Sequence, residues 1–154
     1  MSSEDMSGVP PRVFTSFEEL AGVYVVELPR ESEPSIYLKP DIPEKKLKKA
    51  IKAYAPELAP DEVLAMWDST VFGSGKAGCL ITEQCFYFNQ AMDKPWVIPY
   101  PDIQGISVEE DEDNIPWLKI DMPDRQIAEN DGLEMKLHEL RDFLMAAKNY
   151  HPKA

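Results

Sequence analysis

The residues with the most chemical promise lie in Phe72-Gly73-Ser74-Gly75-Lys76-Ala77-Gly78. A glycine-rich loop can turn its backbone N–H groups toward a phosphate, and a lysine within it adds a charge. The spacing departs from a phosphate-binding P-loop. Thr70 stands where the loop's first glycine is needed, and Ala77 replaces the hydroxyl that would reach a metal ion. The stretch also leads into strand-like residues, so no helix N-terminus follows to supply its dipole. A structural loop is the first expectation, with glycines permitting tight turns and close approach. A ligand loop built from Asp68, Thr70, Gly73, Ser74, Gly75 and Lys76 is the alternative.

Nucleophilic catalysis needs a base beside a Ser, Thr or Cys. The chain has two histidines, His138 and His151, and two cysteines, Cys79 and Cys85. Nothing in their spacing joins them: His138 falls beside a leucine stripe in the last helix, and His151 follows that helix. Closely spaced ligand pairs such as Cys-x-x-Cys, which mark structural zinc sites, are absent. The expectation is no catalytic constellation, no metal, no cofactor, and reduced, buried thiols.

The run Glu109-Glu110-Asp111-Glu112-Asp113 concentrates five carboxylates. An EF-hand would need glycine at its sixth position and glutamate at its twelfth, and no frame offers both. The run reads as a solvated turn between strands, or as a docking patch for a basic partner whose grip weakens with salt. The opposite charge gathers at Lys45, Lys48, Lys49 and Lys52, on one face of a predicted helix, where solvation is the simplest role.

Positive charges number 16 against 28 negative ones, a formal net charge of −12. Such a surface repels polyanions, so nucleic acid is excluded as a partner and lipid binding is disfavoured, while basic proteins fit. A length of 154 residues, 44% hydrophobic, suits one globular domain. No run of about eighteen apolar residues exists to cross a membrane. The polar, acidic stretch Met1 to Gly8 lacks the features of a signal peptide, so a cytoplasmic location is expected.

The elements that must position these groups follow from pattern. Residues 1–11 read as a mobile leader and 12–150 as one domain. Val23-Tyr24-Val25-Val26 has the β-branched and aromatic content of a strand ended by Pro29, and Ser35 to Leu38 is a short second strand. Asp41 can cap a helix over residues 43–55, with Glu44 completing a capping box and Leu47, Ala50, Ile51 and Tyr54 forming its apolar stripe. A shorter helix is expected from Pro60 to Trp67, with Asp61 and Glu62 in its first turn. Strands then fill about 70–128, including a hairpin of Cys79-Leu80-Ile81 with Cys85 to Phe88, and segments Trp96–Tyr100, Ile103–Val108 and Trp117–Met122. After the turn signal Asn130-Asp131-Gly132, Leu133, Leu137, Leu140, Leu144 and Ala147 predict a helix over 133–148, widened by Phe143.

The stretches Ile42 to Ile51, Asp68-Ser69-Thr70-Val71-Phe72-Gly73-Ser74-Gly75-Lys76-Ala77-Gly78, Leu80-Ile81-Thr82 and Phe86-Tyr87-Phe88 together resemble small bacterial proteins with a pleckstrin-homology-like domain. The resemblance spans roughly Ile42 to Lys148, and its most specific part is the glycine-rich stretch leading into a hairpin. It implies an α+β fold: a strongly bent antiparallel sheet or partly open barrel, an N-terminal helical segment and a capping C-terminal helix. Gln84-Cys85 stand where a glycine would be expected at the hairpin turn. The basic phosphoinositide pocket of eukaryotic relatives has no clear counterpart here, so lipid recognition does not carry over. The functional expectation is a non-catalytic protein-interaction module. An inhibitor or immunity-type protein that meets a basic partner through Glu109 to Asp113 is its specific version. A phosphate-ligand binder or enzyme using the Gly73 to Gly78 loop is the competing class.

Overall fold

The computed structural model describes residues 13–90, 94–130 and 133–150. The expected leader over residues 1–11, the Asp131-Gly132 part of the turn signal and His151 lie outside them.

The first element is a helix, α1, over Phe17–Val25, where the β-branched run predicted a strand. Ser16 caps it: its hydroxyl accepts the Glu19 N–H at 3.1 Å, while the Glu19 carboxylate reaches back to the Thr15 N–H at 2.8 Å. Phe17, Leu20, Ala21, Tyr24, Val25 and Leu28 are buried at helical spacing. Tertiary burial on a 3.6-residue period thus outweighs the local strand preference of valine.

Strand β1 (Ser35–Leu38) follows as expected, then α2 over Glu44–Tyr54. The Asp41 cap does not form. Pro43 takes the N-cap position without a side-chain hydrogen bond, because its backbone is already held extended. Leu47, Ala50 and Tyr54 are buried and Ile51 is half-buried.

The expected helix from Pro60 to Trp67 is replaced by one 3-10 turn, Pro60–Glu62, and a strand, β2, over Ala65–Asp68. All four residues of β2 are buried, as are all four of β3 (Gly78–Ile81). Met66, Leu80 and Tyr87 face a small core under α2, whereas Ala65, Trp67, Cys79, Ile81, Phe86 and Phe88 face the main core. A strand covered on both faces loses its polar/apolar alternation, so its sequence does not betray it.

Strands β4 (Cys85–Asn89) and β5 (Trp96–Pro99) complete an antiparallel sheet ordered β1-β2-β3-β4-β5. The β3–β4 turn manages without glycine: the Thr82 hydroxyl accepts the N–H groups of Gln84 and Cys85 at 3.3 and 3.0 Å, and Tyr100 Oη lies 3.0 Å from the Thr82 carbonyl. A second antiparallel sheet holds β6 (Gly105–Glu110), β7 (Pro116–Met122) and β8 (Arg125–Glu129).

The strands therefore divide between two sheets, which do not close into a barrel. The break falls at Pro99, Tyr100 and Pro101, where a 3-10 turn begins and two prolines lack the N–H groups that would extend a ladder. The last helix, α3, spans Leu137–Asn149, beginning later than predicted. Leu133 and Met135 are buried ahead of it, Leu133 in a bend and Met135 in an isolated bridge to Pro29. Phe143 of α3 meets Phe86 at 5.5 Å and Tyr100 at 6.0 Å between ring centres, tying the helix to the five-stranded sheet and to the break between sheets. The fold is α+β with a C-terminal helix packed on the core.

Candidate functional site

The glycine-rich stretch is the connection from β2 to β3. Asp68 closes β2, paired in register with Gly78 across the ladder. Its residue is 2% exposed, an expensive place for a carboxylate unless it is compensated. Thr70 compensates one oxygen, donating to Oδ1 from its hydroxyl at 2.6 Å and from its N–H at 3.0 Å. Oδ2 has no well-aligned hydrogen bond among the described residues and takes its compensation from the Lys46 ammonium, 2.9 Å away.

Lys46 stands on α2 beside Leu47 and reaches over the loop, also donating to the Tyr37 hydroxyl at 3.1 Å. Burial pushes the Asp68 carboxyl upward, but the Thr70 and Lys46 contacts together outweigh it and hold its pKa below the ordinary value. The bond to Asp68, then that to Tyr37, raises the Lys46 pKa.

Thr70 then organises the rest of the loop. Its hydroxyl oxygen accepts the Ser74 N–H at 2.8 Å and that of Gly75 at 3.4 Å, so both lone pairs point into the turn. Gly73 and Gly75 have φ of 72° and 79°, in the left-handed region, and a Cβ on Gly75 would lie 2.7 Å from the Lys46 carbonyl oxygen. At the loop's end the Asn89 side chain donates to the Lys76 carbonyl at 2.9 Å.

A hydroxyl beside a carboxylate has the look of a nucleophile and its base. The surroundings argue against that chemistry. A general base works best with a pKa near the operating pH, whereas Asp68 is held below the usual carboxylate range and is shut from solvent. The Thr70 hydroxyl is spent on the loop itself.

What the loop exposes is different. Val71 and Phe72 stand 91% and 96% exposed at its tip. Lys76 turns outward and, with Lys49, Lys52 and Ala53 of α2, lines a recess of about 490 Å³.

The five acidic residues occupy the β6–β7 hairpin, in the other sheet. Asp111 builds the turn: Oδ1 accepts the N–H groups of Asp113 and Ile115 at 2.8 and 3.1 Å, and Oδ2 accepts the Trp117 indole N–H at 2.8 Å. The Trp117 bond, then that from Ile115, holds Asp111 below its ordinary pKa. Asn114 supplies the left-handed residue, with φ of 63°. Glu109 accepts from Ser107 at 3.0 Å and pairs with Lys119 at 3.3 Å. Glu110, Glu112 and Asp113 project their carboxylates from an exposed surface.

His138 is exposed on α3, while Cys79 is fully buried in β3. Burial pushes the Cys79 thiol up to about 12 and raises that of Cys85, which is only half-buried. Both cysteines are free. Among the described residues, no three His, Cys, Asp or Glu side chains cluster in a way that could hold a metal ion, and no helix is long and apolar enough to cross a membrane.

The structure brings the loop candidates Asp68 and Thr70 into contact and adds Lys46, which was not among the candidates, as the partner that makes Asp68 tolerable. Lys46 lies one residue from the buried Leu47 and off the solvated face of α2, the one available hint. The exposed Val71-Phe72 pair also had a signal, since two large apolar residues inside a glycine-rich turn have no strand or helix of their own to bury them.

No family model matches the chain, and neither a curated protein nor a solved structure shows significant similarity to it.

Proposed function

We propose that this chain is a non-catalytic protein-interaction module with a pleckstrin-homology-like core, which engages a basic partner through its acidic hairpin. The observation that carries the reading is that Asp68 and Thr70, the carboxylate and hydroxyl that could act as base and nucleophile in the Asp68 to Gly78 loop, are both used internally. Asp68 neutralises Lys46, Thr70 serves the turn, and the glycines allow close packing. The core assignment draws support from antiparallel meanders followed by a packed C-terminal helix.

The hairpin suits docking because Asp111 fixes its shape while Glu110, Glu112 and Asp113 face solvent. Preorganised charge of this kind raises association rates toward a basic surface and rejects acidic ones. An inhibitor or immunity-type protein is the specific version, because such proteins use negative potential to steer toward a cationic target. Affinity capture at low and high salt tests it. One basic protein retained by the wild type, released by salt and lost from a Glu110→Lys/Glu112→Lys/Asp113→Lys variant of unchanged melting temperature supports the reading. Retention by that variant overturns it.

A phosphate-ligand function is the second reading, favoured by the meeting of Lys49, Lys52 and Lys76 at one recess. A rise in melting temperature with inorganic phosphate or nucleotides, abolished by Lys76→Ala, would support it over the first.

A further inference from the structure

We infer that the tip of the β2–β3 loop and the neighbouring face of α2 form a second docking surface, for an acidic protein segment that carries an apolar anchor. The surface is independent of the acidic hairpin and reverses its charge. On a molecule of net charge −12, the lysines of α2 and Lys76 of the loop gather positive charge at one place. Lys45, Lys48, Lys49 and Lys52 are all exposed. Of these, Lys48 is paired with Glu44 at 3.1 Å, and Lys49, Lys52 and Lys76 line the recess.

The apolar half of the surface has two parts. Val71 and Phe72 protrude almost fully exposed, although burying an exposed Phe is worth about 2 kcal/mol and no described residue covers it. The recess is lined by Ala53 and by Lys49, Lys52 and Lys76, whose methylene stems can present apolar surface while their ammonium groups stay in water. Aromatic residues are enriched at protein interfaces, whose rims are polar and solvent-accessible.

The tip is also preorganised. Asp68, Thr70 and Lys46 hold the loop from beneath, and Gly73 and Gly75 adopt backbone angles that other residues resist. Little ordering entropy remains to be lost when Phe72 is gripped.

Charge complementarity selects an acidic occupant, and its breadth decides which kind. An extended anionic bilayer would bring the flanking acidic surface of the whole molecule against like charge. A narrow segment meets only the lysines, since charges beyond a Debye length of about 8 Å are screened.

The test is selection of a random peptide library displayed on phage against the full chain, followed by titration of the enriched peptides. Peptides combining Asp or Glu with one aromatic or aliphatic residue are expected. Their affinity should fall about tenfold in Phe72→Ser and about tenfold in Lys49→Glu/Lys52→Glu, and should weaken with salt. Both sites are exposed, so melting temperatures should hold. The charge-reversed acidic hairpin variant should bind these peptides unchanged, which separates this surface from the basic-partner reading. Enrichment without acidic bias, or full affinity in Phe72→Ser, would overturn the inference. So would Phe72-dependent cosedimentation with phosphatidylglycerol/phosphatidylcholine vesicles in the absence of peptide selection.

Discussion

The Lys46 ammonium sits 2.9 Å from Oδ2 of Asp68, joining the first turn of α2 to the last residue of β2. The contact lies beneath the glycine-rich loop, with the Asp68 side chain wholly buried and that of Lys46 18% exposed. Removing one partner leaves a charge without compensation where water cannot replace it. Lys46→Met should cost about 3 kcal/mol in urea denaturation and Asp68→Asn about 2 kcal/mol. The double variant should lose less than the sum. Strict additivity would show that the two side chains do not interact.

The same pair sets a pH dependence whose sign follows from the two shifts. Asp68 is depressed in the folded state, so its contribution is present above the ordinary value of 3.8 and is lost as pH falls through the lower folded value. Lys46 is raised, so its contribution is present below 10.5 and is lost as pH rises through the higher folded value. The gap in melting temperature between wild type and Asp68→Asn should therefore be steady at neutral pH and narrow below the carboxylate range. A gap that persists undiminished at pH about 2 would contradict the depressed value.

Glycines in the loop should rank by what a methyl group would meet. A Cβ on Gly78 would lie 1.9 Å from the Trp67 carbonyl oxygen at a φ of 126°, so Gly78→Ala should cost about 4 kcal/mol or prevent folding. A Cβ on Gly73 would lie 3.2 Å from the Lys46 ammonium and 3.9 Å from Asp68 Oδ2, a displacement of a few tenths of an ångström, so Gly73→Ala should cost less, about 1 to 2 kcal/mol, chiefly for its left-handed backbone. Chemical denaturation gives the order, and equal costs would mean the loop relaxes freely.

Ser16 is a test of the first helix. Its hydroxyl accepts the Glu19 N–H at 3.1 Å, and Ser16→Ala should cost about 1 kcal/mol, with Ser16→Asp close to neutral. Thermal melts would show it. No loss in the alanine variant would remove the cap from the account of why residues 17–25 are helical.

Periodicity made α2 and α3 legible, because each keeps a polar face toward water and an apolar stripe toward the core. Leu47, Ala50 and Tyr54, and the series Leu137, Leu140, Leu144 and Ala147, are buried as their spacing requires. The β3–β4 hairpin and β7 were legible from β-branched and aromatic runs. By contrast, the Val23 to Val26 run carried a strand preference, and only the burial of Leu20, Tyr24 and Val25 on a helical period, with Ser16 capping the start, decides for a helix.

The letters alone determined a charged, α+β chain whose glycine-rich stretch lacks P-loop spacing, since composition and residue spacing along a chain do not depend on what folds against them. Tertiary structure decided that Ala65 to Asp68 is a strand, that Lys46 answers Asp68, and that Phe72 is left facing solvent. Each of these depends on partners distant in sequence: α2 covers the second face of β2, carries the ammonium and forms the wall beside the loop. Local pattern holds no record of such a neighbour, because burial on both faces erases alternation and a counter-charge can come from any lysine that the fold brings near.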